Sequence, residues 1–329
     1  MNVALFNDTA SFPHLGCMAV SDAHARMLGR RHHHVKQRFF FLEFHDILAD
    51  GEEASIAAAL RNKRLEECFD EVDVVIVNGE GTIHHGGGLY LLAILGAAQR
   101  RGKQTLLVNA VYESNTAFED ILRRLDDFTV RETRSASFAK SRNIHCRVVL
   151  DSCFEAHFSD EVIGDLSGKI AITDWHIHRD HDVGDAIRNL SREYGTRAES
   201  FPFERPDAAR VWHRAVPTLE RSEIVVTGRH HGACFALKAR RPFVALPSNT
   251  HKIEGFTETI GLPIPVVSTP RAAYDVLRSI HSRRDQFSAA FDYVTSLMPL
   301  TTFQALGQGT SATNEHAEVL KLAADLQSS

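Results

Sequence analysis

The sequence predicts an α/β protein with two doubly wound domains that face a cleft. Short apolar runs alternate with amphipathic stretches along most of its 329 residues. These runs are rich in Val, Ile, Leu and Phe on both faces, as expected of strands buried in a parallel sheet. The alternation breaks once, over residues 155–168, and then resumes. Because 329 residues are enough for two domains of about 150 residues each, we place a domain boundary at this break.

The first series of strands and helices lies before the break. Six strands are predicted at Val3–Asn7, Phe39–Phe44, Asp73–Asn78, Thr105–Asn109, Phe128–Val130 and Val148–Leu150. Amphipathic helices are expected between them at about 17–30, 53–69, 88–101, 116–126 and 133–142. Alternation of this kind predicts a doubly wound sheet with helices on both faces.

The second series repeats the pattern after the break. Its strands are predicted at Lys169–Thr173, Glu199–Phe203, Glu223–Gly228, Phe243–Leu246 and Pro265–Val267. Its helices are expected near 182–195, 206–214, 231–240, 253–261 and 270–282. A further helix runs to about residue 296, and a polar stretch over 301–314 precedes an amphipathic segment at 316–326. We therefore divide the chain into domains at 1–158 and 165–300, followed by a tail at 301–329.

Composition excludes several classes of function. The net charge of −5 gives no basic field over the molecule, which disfavours nucleic acid as a partner. The longest apolar run, Leu89–Ala98, is too short for a membrane span, which needs about 20 residues. Five irregularly spaced cysteines fit reduced thiols, and the N-terminus resembles no leader peptide. We expect a cytoplasmic protein without a transmembrane segment, and leave open whether it is peripheral to the inner face of the membrane.

The junction between the strand Glu223–Gly228 and the helix after it carries the clearest chemistry. Such a junction lies at the carboxyl edge of a parallel sheet, where ligands bind. The first turn of the helix offers free N–H groups and a partial positive charge to an anion. Arg229 adds a guanidinium, Gly232 permits close approach to the backbone, and His231 titrates near neutrality. The alternative is an ordinary helix start with a surface arginine.

A second cation follows the next strand. Lys252 lies after Phe243–Leu246, and it falls beside the first junction if the two strands are neighbours. A lone lysine at this position is usually a solvated surface charge. Together with Arg229 and a helix N-terminus, Lys252 favours an anion pocket.

A glycine-rich loop follows the strand Asp73–Asn78. It lacks the third glycine of the dinucleotide-binding fingerprint, so a nicotinamide or flavin cofactor is not indicated. One interpretation is a flexible turn. The other places Glu80, Thr82, His84 and His85 at the cleft, because loops at strand ends often carry function. Adjacent side chains point in opposite directions in extended chain, so we expect only one of the two histidines at the site.

Two further junctions are less specific. Asn7–Gly16 is rich in short polar groups able to bind sugar hydroxyls, but a plain turn fits equally well. His176 and His178 have the spacing of strand-borne metal ligands, with His181 close behind. We predict no metal site there, and we interpret the run His32–His34 as a solvated helix end.

Together these segments resemble the polysaccharide pyruvyl transferase family. The C-terminal signature is matched by Arg229-His-His231, an apolar helix, a Pro-containing strand end and Lys252. Earlier segments match in order. They are Asp73-Val-Val-Ile-Val-Asn-Gly-Glu-Gly-Thr-Ile-His-His85, Phe128-Thr-Val-Arg-Glu-Thr-Arg-Ser135 and Val148-Val-Leu-Asp151. The resemblance covers about residues 3–282, and it is specific as an ordered set rather than motif by motif.

The resemblance implies two Rossmann-like domains of the type called GT-B. It also implies transfer of a pyruvyl group from phosphoenolpyruvate to a saccharide, giving a cyclic ketal, with no cofactor and no metal ion. The N-terminal domain would be the acceptor side and the C-terminal domain the donor side. This chain departs from the family pattern at His230, where an aliphatic residue is common, and at Glu80, whose carboxylate would repel phosphate if it pointed inward.

The predicted site residues follow from the motifs and from the junctions described above. We assign His231 and Glu80 to catalysis, and Arg229, Gly232 and Lys252 to donor binding. We assign Asn78, Thr82, His84 and His85 to the acceptor, which is a saccharide or glycan. Whether the acceptor is lipid-linked stays open. Two other interpretations stay open: a GT-B glycosyltransferase with a nucleotide-sugar donor, and a sugar- or anion-binding protein without turnover. The sequence leaves the acceptor sugar and the oligomeric state undetermined.

Overall fold

A computed structural model describes residues 1–176, 181–262, 264–297 and 302–307 of the chain. Two parallel sheets organise the fold. The six strands of the first sheet lie before residue 150, and the four strands of the second lie after residue 168. None of the helices in the described ranges is long and apolar enough to cross a membrane. The division at 1–158, 165–300 and 301–329 stays a prediction.

The first sheet is built from six short strands and the helices between them. The strands are β1 Asn2–Asp8, β2 His34–Phe40, β3 Val74–Asn78, β4 Gln104–Ala110, β5 Asp127–Val130 and β6 Arg147–Val148. The helices are α1 Leu15–Arg30, α2 Glu52–Arg61, α3 Lys63–Glu71, α4 Leu89–Arg100, α5 Glu119–Arg123 and α6 Thr133–Ser141. The strand order is β2-β1-β3-β4-β5-β6, with every pair parallel.

The second sheet repeats this plan with fewer strands. Its strands are β7 Ile170–Trp175, β8 Ala198–Ser200, β9 Ile224–Gly228 and β10 Phe243–Ala245. Its helices are α7 His181–Tyr194, α8 Ala208–Val211, α9 Ala215–Glu220, α10 His230–Lys238, α11 Lys252–Thr259, α12 Pro270–Ile280 and α13 Arg284–Leu297. The order is β10-β9-β7-β8, so β9 and β10 are neighbours, as the anion-pocket argument required.

Strand order determines where each sheet can bind a ligand. In both sheets the chain runs outward in opposite directions from a central pair, β1 with β3 and β7 with β9. The connections after such a pair leave in opposite directions and open a crevice at the carboxyl ends of the strands. The loops after β1, β3, β7 and β9 are therefore the first place to look for a site.

A continuous apolar core joins the two sheets. Along β1 the side chains alternate, so Val3 and Leu5 pack on one face while Ala4 and Phe6 pack on the other. The Val3 and Leu5 face belongs to the same buried cluster as α1 and the strands of the second sheet. The sheets are thus held together by buried apolar surface as well as by polar contacts.

Three predicted elements differ in the structure. The second strand is His34–Phe40, not Phe39–Phe44, because it is a half-exposed edge strand whose polar residues do not form an apolar run. The predicted helix 53–69 is divided at Asn62, which ends α2 and accepts a capping hydrogen bond from Leu65 N–H at 3.3 Å.

The third difference lies at residues 265–267, which form no strand. Proline supplies no N–H group, and Val267 alone donates to the Ala245 carbonyl. The amphipathic segment predicted at 316–326 lies outside the described residues.

Candidate active site

The crevices of the two sheets meet in one cavity of about 280 Å³. Loops after β1, β3, β7 and β9 all contribute to its wall. The lining residues are Thr9, Phe12, Pro13, His14, Cys17, Phe41, Glu80, Gly81, Thr82, Arg131, His176, Glu204, Arg229, His230, His231, Asn249 and Lys252. Main-chain hydrogen bonds close one rim: Leu15 N–H donates to the Phe203 carbonyl, and Arg205 N–H donates to the Pro13 carbonyl, both at 2.8 Å. Strand order thus places the cavity where the sequence predicted a cleft.

A buried ion pair forms the floor of the cavity. Arg131 follows β5 and donates from Nη1 to Oδ2 of Asp151, 2.6 Å away, with both side chains at least 98% buried. Burial alone would raise the pKa of the Asp151 carboxyl, but Arg131, His231 and the hydrogen bond with His230 hold it well below its usual range. Asp151 is therefore a fixed negative charge, and Arg131 a fixed positive one.

Nε of Arg131 has no hydrogen-bond partner among the described residues, although it is buried. A buried donor without a partner costs about 1–3 kcal/mol.

His230 lies behind the cavity wall as a buried, neutral ring. Its Nε2 lies 3.1 Å from Oδ2 of Asp151, and its Nδ1 lies 3.3 Å from the carbonyl of Lys252. Burial and the charge of Arg131 lower its pKa to about 3. His230 thus joins α10 to Asp151 and to the start of α11, at the position where the family often has an aliphatic residue.

His231 presents a ring nitrogen to the cavity. Its Nε2 lies 3.6 Å from Oδ2 of Asp151 and 3.8 Å from Oε1 of Glu80, and it makes no hydrogen bond within the described residues. The opposite edge of the ring packs against Gly16 at the start of α1. The position of His231 therefore depends on both halves of the protein, because α10 carries the side chain and α1 packs against its ring.

His14 lies next to His231 and caps α1. Its Nδ1 accepts hydrogen bonds from the N–H groups of Gly16 at 3.1 Å and Cys17 at 3.4 Å. Burial and the neighbouring His231 lower the pKa of His14 well below its usual range, so it is neutral. Because Nδ1 accepts, the ring proton is on Nε2.

Lys252 is a buried ammonium with one side-chain partner. Its Nζ donates to Oδ1 of Asn249 at 2.6 Å, and Lys252 is the first residue of α11. Burial, Arg131 and Arg229 lower its pKa to about 7. A methyl group added at Gly81 would lie 3.9 Å from this Nζ and 3.8 Å from Nη2 of Arg131. The space beside Gly81 is therefore shared by two cationic side chains.

Arg229 lines the same cavity but is already paired. Its Nε and Nη2 donate to Oδ2 of Asp174 at 2.9 and 2.7 Å, and Nη2 also donates to Glu204 at 2.9 Å. Asp174 in turn accepts from the N–H groups of Phe203 and Glu204. Arg229 thus connects β7, β9 and the segment that closes the rim, and it faces the ligand less freely than Lys252.

Glu80 points into the cavity from the loop after β3. Its Oε2 accepts from the Thr9 hydroxyl at 2.6 Å and from the Asn78 amide at 3.2 Å, while the Cys17 thiol lies 3.3 Å from Oε1. Its backbone is in the left-handed region, with φ of 33°. Hydrogen bonds from β1, β3 and α1 therefore stabilise the carboxylate beside His231.

The predicted acceptor residues separate into two groups. Thr82 lines the cavity, and Asn78 lies just behind it as a partner of Glu80. His84 and His85 lie outside the lining, and their Nδ1 atoms are 3.0 Å apart. The expectation that their side chains diverge is wrong, because His85 has φ of 50° and the chain there is not extended.

Gly232, predicted to let the donor approach the backbone, instead lets two elements of the fold pack closely. A methyl group at this position would lie 2.1 Å from Oγ1 of Thr227 on β9. The glycine therefore allows α10 to approach its own sheet closely, and it is not part of the cavity lining.

The histidines proposed as alternative metal ligands do not form a described cluster. His176 lines the cavity, His178 lies outside the described residues, and no group of three potential ligands occurs within the described part of the chain.

The structure adds site residues that sequence reasoning missed, chiefly His14, Arg131, Asp151 and Asn249. Arg131 directly follows β5 and Asp151 comes three residues after β6, so position after a strand was a usable signal. His14 gave no such signal, because its place at the cavity depends on contact between α1 and α10.

Comparison with known proteins agrees with this geometry. The family model described as polysaccharide pyruvyl transferase matches residues 30–250, which is about two thirds of the chain. This range includes Glu80, Arg131, Asp151 and the junction at Arg229–His231. No curated protein matches the sequence significantly.

Solved structures establish the fold. The chain is similar to a Staphylococcus aureus MnaA–UDP co-structure, with 13% identity, a TM-score of 0.59, and 92% of this chain and 93% of that one covered. A putative UDP-N-acetylglucosamine 2-epimerase from Listeria monocytogenes gives 12% identity, a TM-score of 0.55 and coverage of 88% and 90%. The Neisseria meningitidis UDP-GlcNAc 2-epimerase gives 11% identity and a TM-score of 0.52, with 92% of this chain and 100% of that one covered. The predicted α/β fold of GT-B type, with two Rossmann-like units, is confirmed.

Proposed function

Because the chain belongs to the polysaccharide pyruvyl transferase family, we propose that it transfers a pyruvyl group from phosphoenolpyruvate to two hydroxyls of a saccharide. In this reaction the methylene carbon of the donor gains a proton and becomes a methyl group. Two C–O bonds form to the neighbouring carbon, and the phosphate ester bond breaks. The two hydroxyls lose two protons in all, so that in the net reaction one is accounted for in the new methyl group and the other in the released inorganic phosphate. The reaction needs cations for the donor and a group that moves protons.

One observation carries the proposal: Arg131 and Lys252 converge on the space beside Gly81 in a small cavity. A cavity of about 280 Å³ is at the lower end of ligand pockets, which span about 300–1,000 Å³. It suits a compact anion better than a nucleotide sugar. The first turn of α10 adds N–H groups, because Arg229 provides no side-chain cap.

The donor site that we propose differs from the motif-based one in the role of Arg229. Lys252 and Arg131 hold the phosphate and carboxylate, while Arg229 fixes the wall through Asp174 and Glu204. Glu80 and Asp151 both lie within 4 Å of Nε2 of His231. Glu80 is also close enough to Lys252 and Arg131 to act on their charges, so in the proposed complex these two cations outweigh its repulsion of the phosphate.

His231 is the group that we propose to move the proton. Its free Nε2 lies between two carboxylates, which stabilise the ring when it is protonated. A positioned acid or base contributes about 10²–10⁴-fold in rate. His231→Gln is therefore expected to lower turnover by that factor, while the exposed control His145→Gln keeps it. Equal turnover in the two variants would remove His231 from the mechanism.

The experiment that tests the function begins with thermal unfolding in phosphoenolpyruvate, CMP or UDP. A ligand at about 100 times its dissociation constant stabilises the folded chain by about 2.7 kcal/mol. We expect stabilisation by phosphoenolpyruvate that Lys252→Met abolishes. The half-buried Lys238, which binds the Phe154 carbonyl away from the cavity, supplies the matched control Lys238→Met. Released phosphate is then measured with a panel of glycosides.

Two other results would support different functions. The second candidate is a nucleotide-sugar transferase, favoured by the similarity to a UDP co-structure, and it predicts stabilisation by UDP or CMP instead. A binding protein without turnover predicts stabilisation by phosphoenolpyruvate but no phosphate release with any glycoside.

A further inference from the structure

Two phenylalanines form an apolar wall at the mouth of the cavity. Phe12 precedes α1, and Phe41 follows β2. Both line the cavity, and their ring centroids are 4.8 Å apart with planes inclined by 50°. Lys252 and Arg131 lie on the wall of the same cavity. The cavity therefore combines cationic groups with an aromatic surface.

Neither ring is needed to complete the core. The two buried apolar clusters of the described residues include neither Phe12 nor Phe41, and Phe12 is 37% exposed. Aromatic side chains bury about 150–250 Å² when fully covered, so an uncovered pair at a cavity mouth offers apolar area to a ligand. Their neighbours Phe39 and Phe44, by contrast, pack on Phe6 inside the core.

The polar groups beside the rings suit hydroxyls. Thr9 and Thr82 line the cavity from the loops after β1 and β3, and the exposed carboxylate of Glu204 lies at the rim. A pyranose has one face of C–H groups and an edge of hydroxyls, so it needs both kinds of surface. The free nitrogen of His231 lies deeper in the same cavity, where a hydroxyl held by this edge would react.

We propose that Phe12 and Phe41 form the acceptor subsite, on which the C–H face of a hexopyranose packs so that its hydroxyls point toward His231. The inference rests on the proposed function, because it names the class of acceptor for that same cavity. It moves the main apolar contact of the acceptor from the loop of His84 and His85 to the segments after β1 and β2.

The test uses Phe12→Ala, Phe41→Ala and a matched control. Phe40 is adjacent to Phe41 and, at 39%, about as exposed as Phe12, but it does not line the cavity, so Phe40→Ala is the control. The probes are methyl glycosides of glucose, galactose, mannose and N-acetylglucosamine. Their turnover is followed by phosphate release at saturating phosphoenolpyruvate, and their binding by saturation-transfer NMR.

Loss of either cavity ring is expected to raise KM for the best glycoside about ten-fold, because the sugar loses an aromatic packing surface. The kcat should change less, and Phe41→Tyr should restore KM. Stabilisation by phosphoenolpyruvate should stay unchanged in all variants. Equal KM values in Phe12→Ala, Phe41→Ala and Phe40→Ala would overturn the subsite, as would failure of every glycoside to bind.

Failure of the function itself would give a different pattern. If phosphoenolpyruvate neither stabilises the protein nor releases phosphate, the proposed donor is wrong. Saturation transfer to a methyl glycoside would then test the aromatic subsite alone. The subsite is still supported if Phe12→Ala and Phe41→Ala abolish this transfer while Phe40→Ala preserves it. The absence of that transfer would overturn both.

Discussion

Gly16 and His231 are in direct contact across the two sheets, and no larger residue fits at Gly16. A methyl group there would lie 2.2 Å from both Cγ and Nδ1 of the His231 ring. Gly16 belongs to α1 and His231 to α10, so the position of the proposed catalytic histidine depends on how these helices meet. This contact leads to the first prediction.

Gly16→Ala is expected to displace the His231 ring and lower kcat about as much as His231→Gln, by about 10²–10⁴-fold. Gly29, on the same helix, has no atom within 4 Å of an added methyl group. Gly29→Ala should therefore keep kcat and stabilise the helix by about 0.5–1 kcal/mol. Steady-state kinetics and urea unfolding of the two variants distinguish these effects. Full activity of Gly16→Ala would mean that the ring position is not critical.

The pKa of Lys252 makes donor binding depend on pH. Its folded-state value of about 7 means that the free ammonium loses its proton as pH rises through 7, and affinity for phosphoenolpyruvate should then fall. Below pH 7 the cation is present, and affinity is limited by the ionisation of the phosphate. Calorimetry at pH 7.5 in buffers of different ionisation enthalpy should show proton uptake on binding. Lys252→Met should show no such uptake, and uptake by that variant as large as that of the wild type would refute the assignment.

His251 joins the two halves through a pair of carboxylates. Its Nδ1 lies 3.3 Å from Glu113, and its Nε2 lies 3.3 Å from Glu132, next to the Ser135 hydroxyl. Burial opposes the charged ring, but Glu132 and Glu113 outweigh burial and the nearby Arg134, so the pKa of His251 is raised.

A raised folded-state pKa has a definite sign for stability. The contribution is fully present below the unfolded-state value of about 6.5 and is lost as pH rises through the higher folded-state value. We expect His251→Gln to cost about 1 kcal/mol at pH 5.5 and little at pH 9. Thermal unfolding at both values measures this difference, with the exposed His45→Gln as the control. A cost that is the same at both values would contradict a charged His251.

The buried pair Arg131–Asp151 should be the most sensitive ionic contact in the described chain. Asp151→Asn leaves a buried guanidinium without its counter-ion, which typically costs about 3–5 kcal/mol. The control is Asp120→Asn, because Asp120 pairs with Arg123 while 76% exposed, and that change should leave stability almost unaffected. Urea unfolding measures both. Similar midpoints for the two variants would mean that the cavity floor is solvated.

Much of the fold follows from local pattern. Apolar runs such as Val74–Asn78 and Ile224–Gly228 identify the central strands, because a strand covered on both faces has little choice of residue. The edge strand His34–Phe40 was misplaced for the opposite reason: its exposed positions tolerate Lys36, Gln37 and Arg38.

The site was only partly predictable. Arg229, His231 and Lys252 follow strands whose neighbours could be inferred, and the cavity contains all three. The pairing of Arg229 with Asp174 and Glu204 depends on distant segments that fold together, and no local pattern encodes it. The left-handed backbone at His85 is likewise invisible to periodicity, which assumes extended chain.

The rim where Leu15 and Arg205 donate to the carbonyls of Phe203 and Pro13 is made by main-chain atoms alone. Substitutions at the exposed Pro13 and the half-buried Arg205 leave the peptide groups in place, whereas the side chains of Leu15 and Phe203 are fully buried in the core. Only proline at position 15 or 205 deletes a donor. A mutational scan should therefore record position 205 as tolerant of most residues and intolerant of proline, and positions 15 and 203 as tolerant only of other apolar residues.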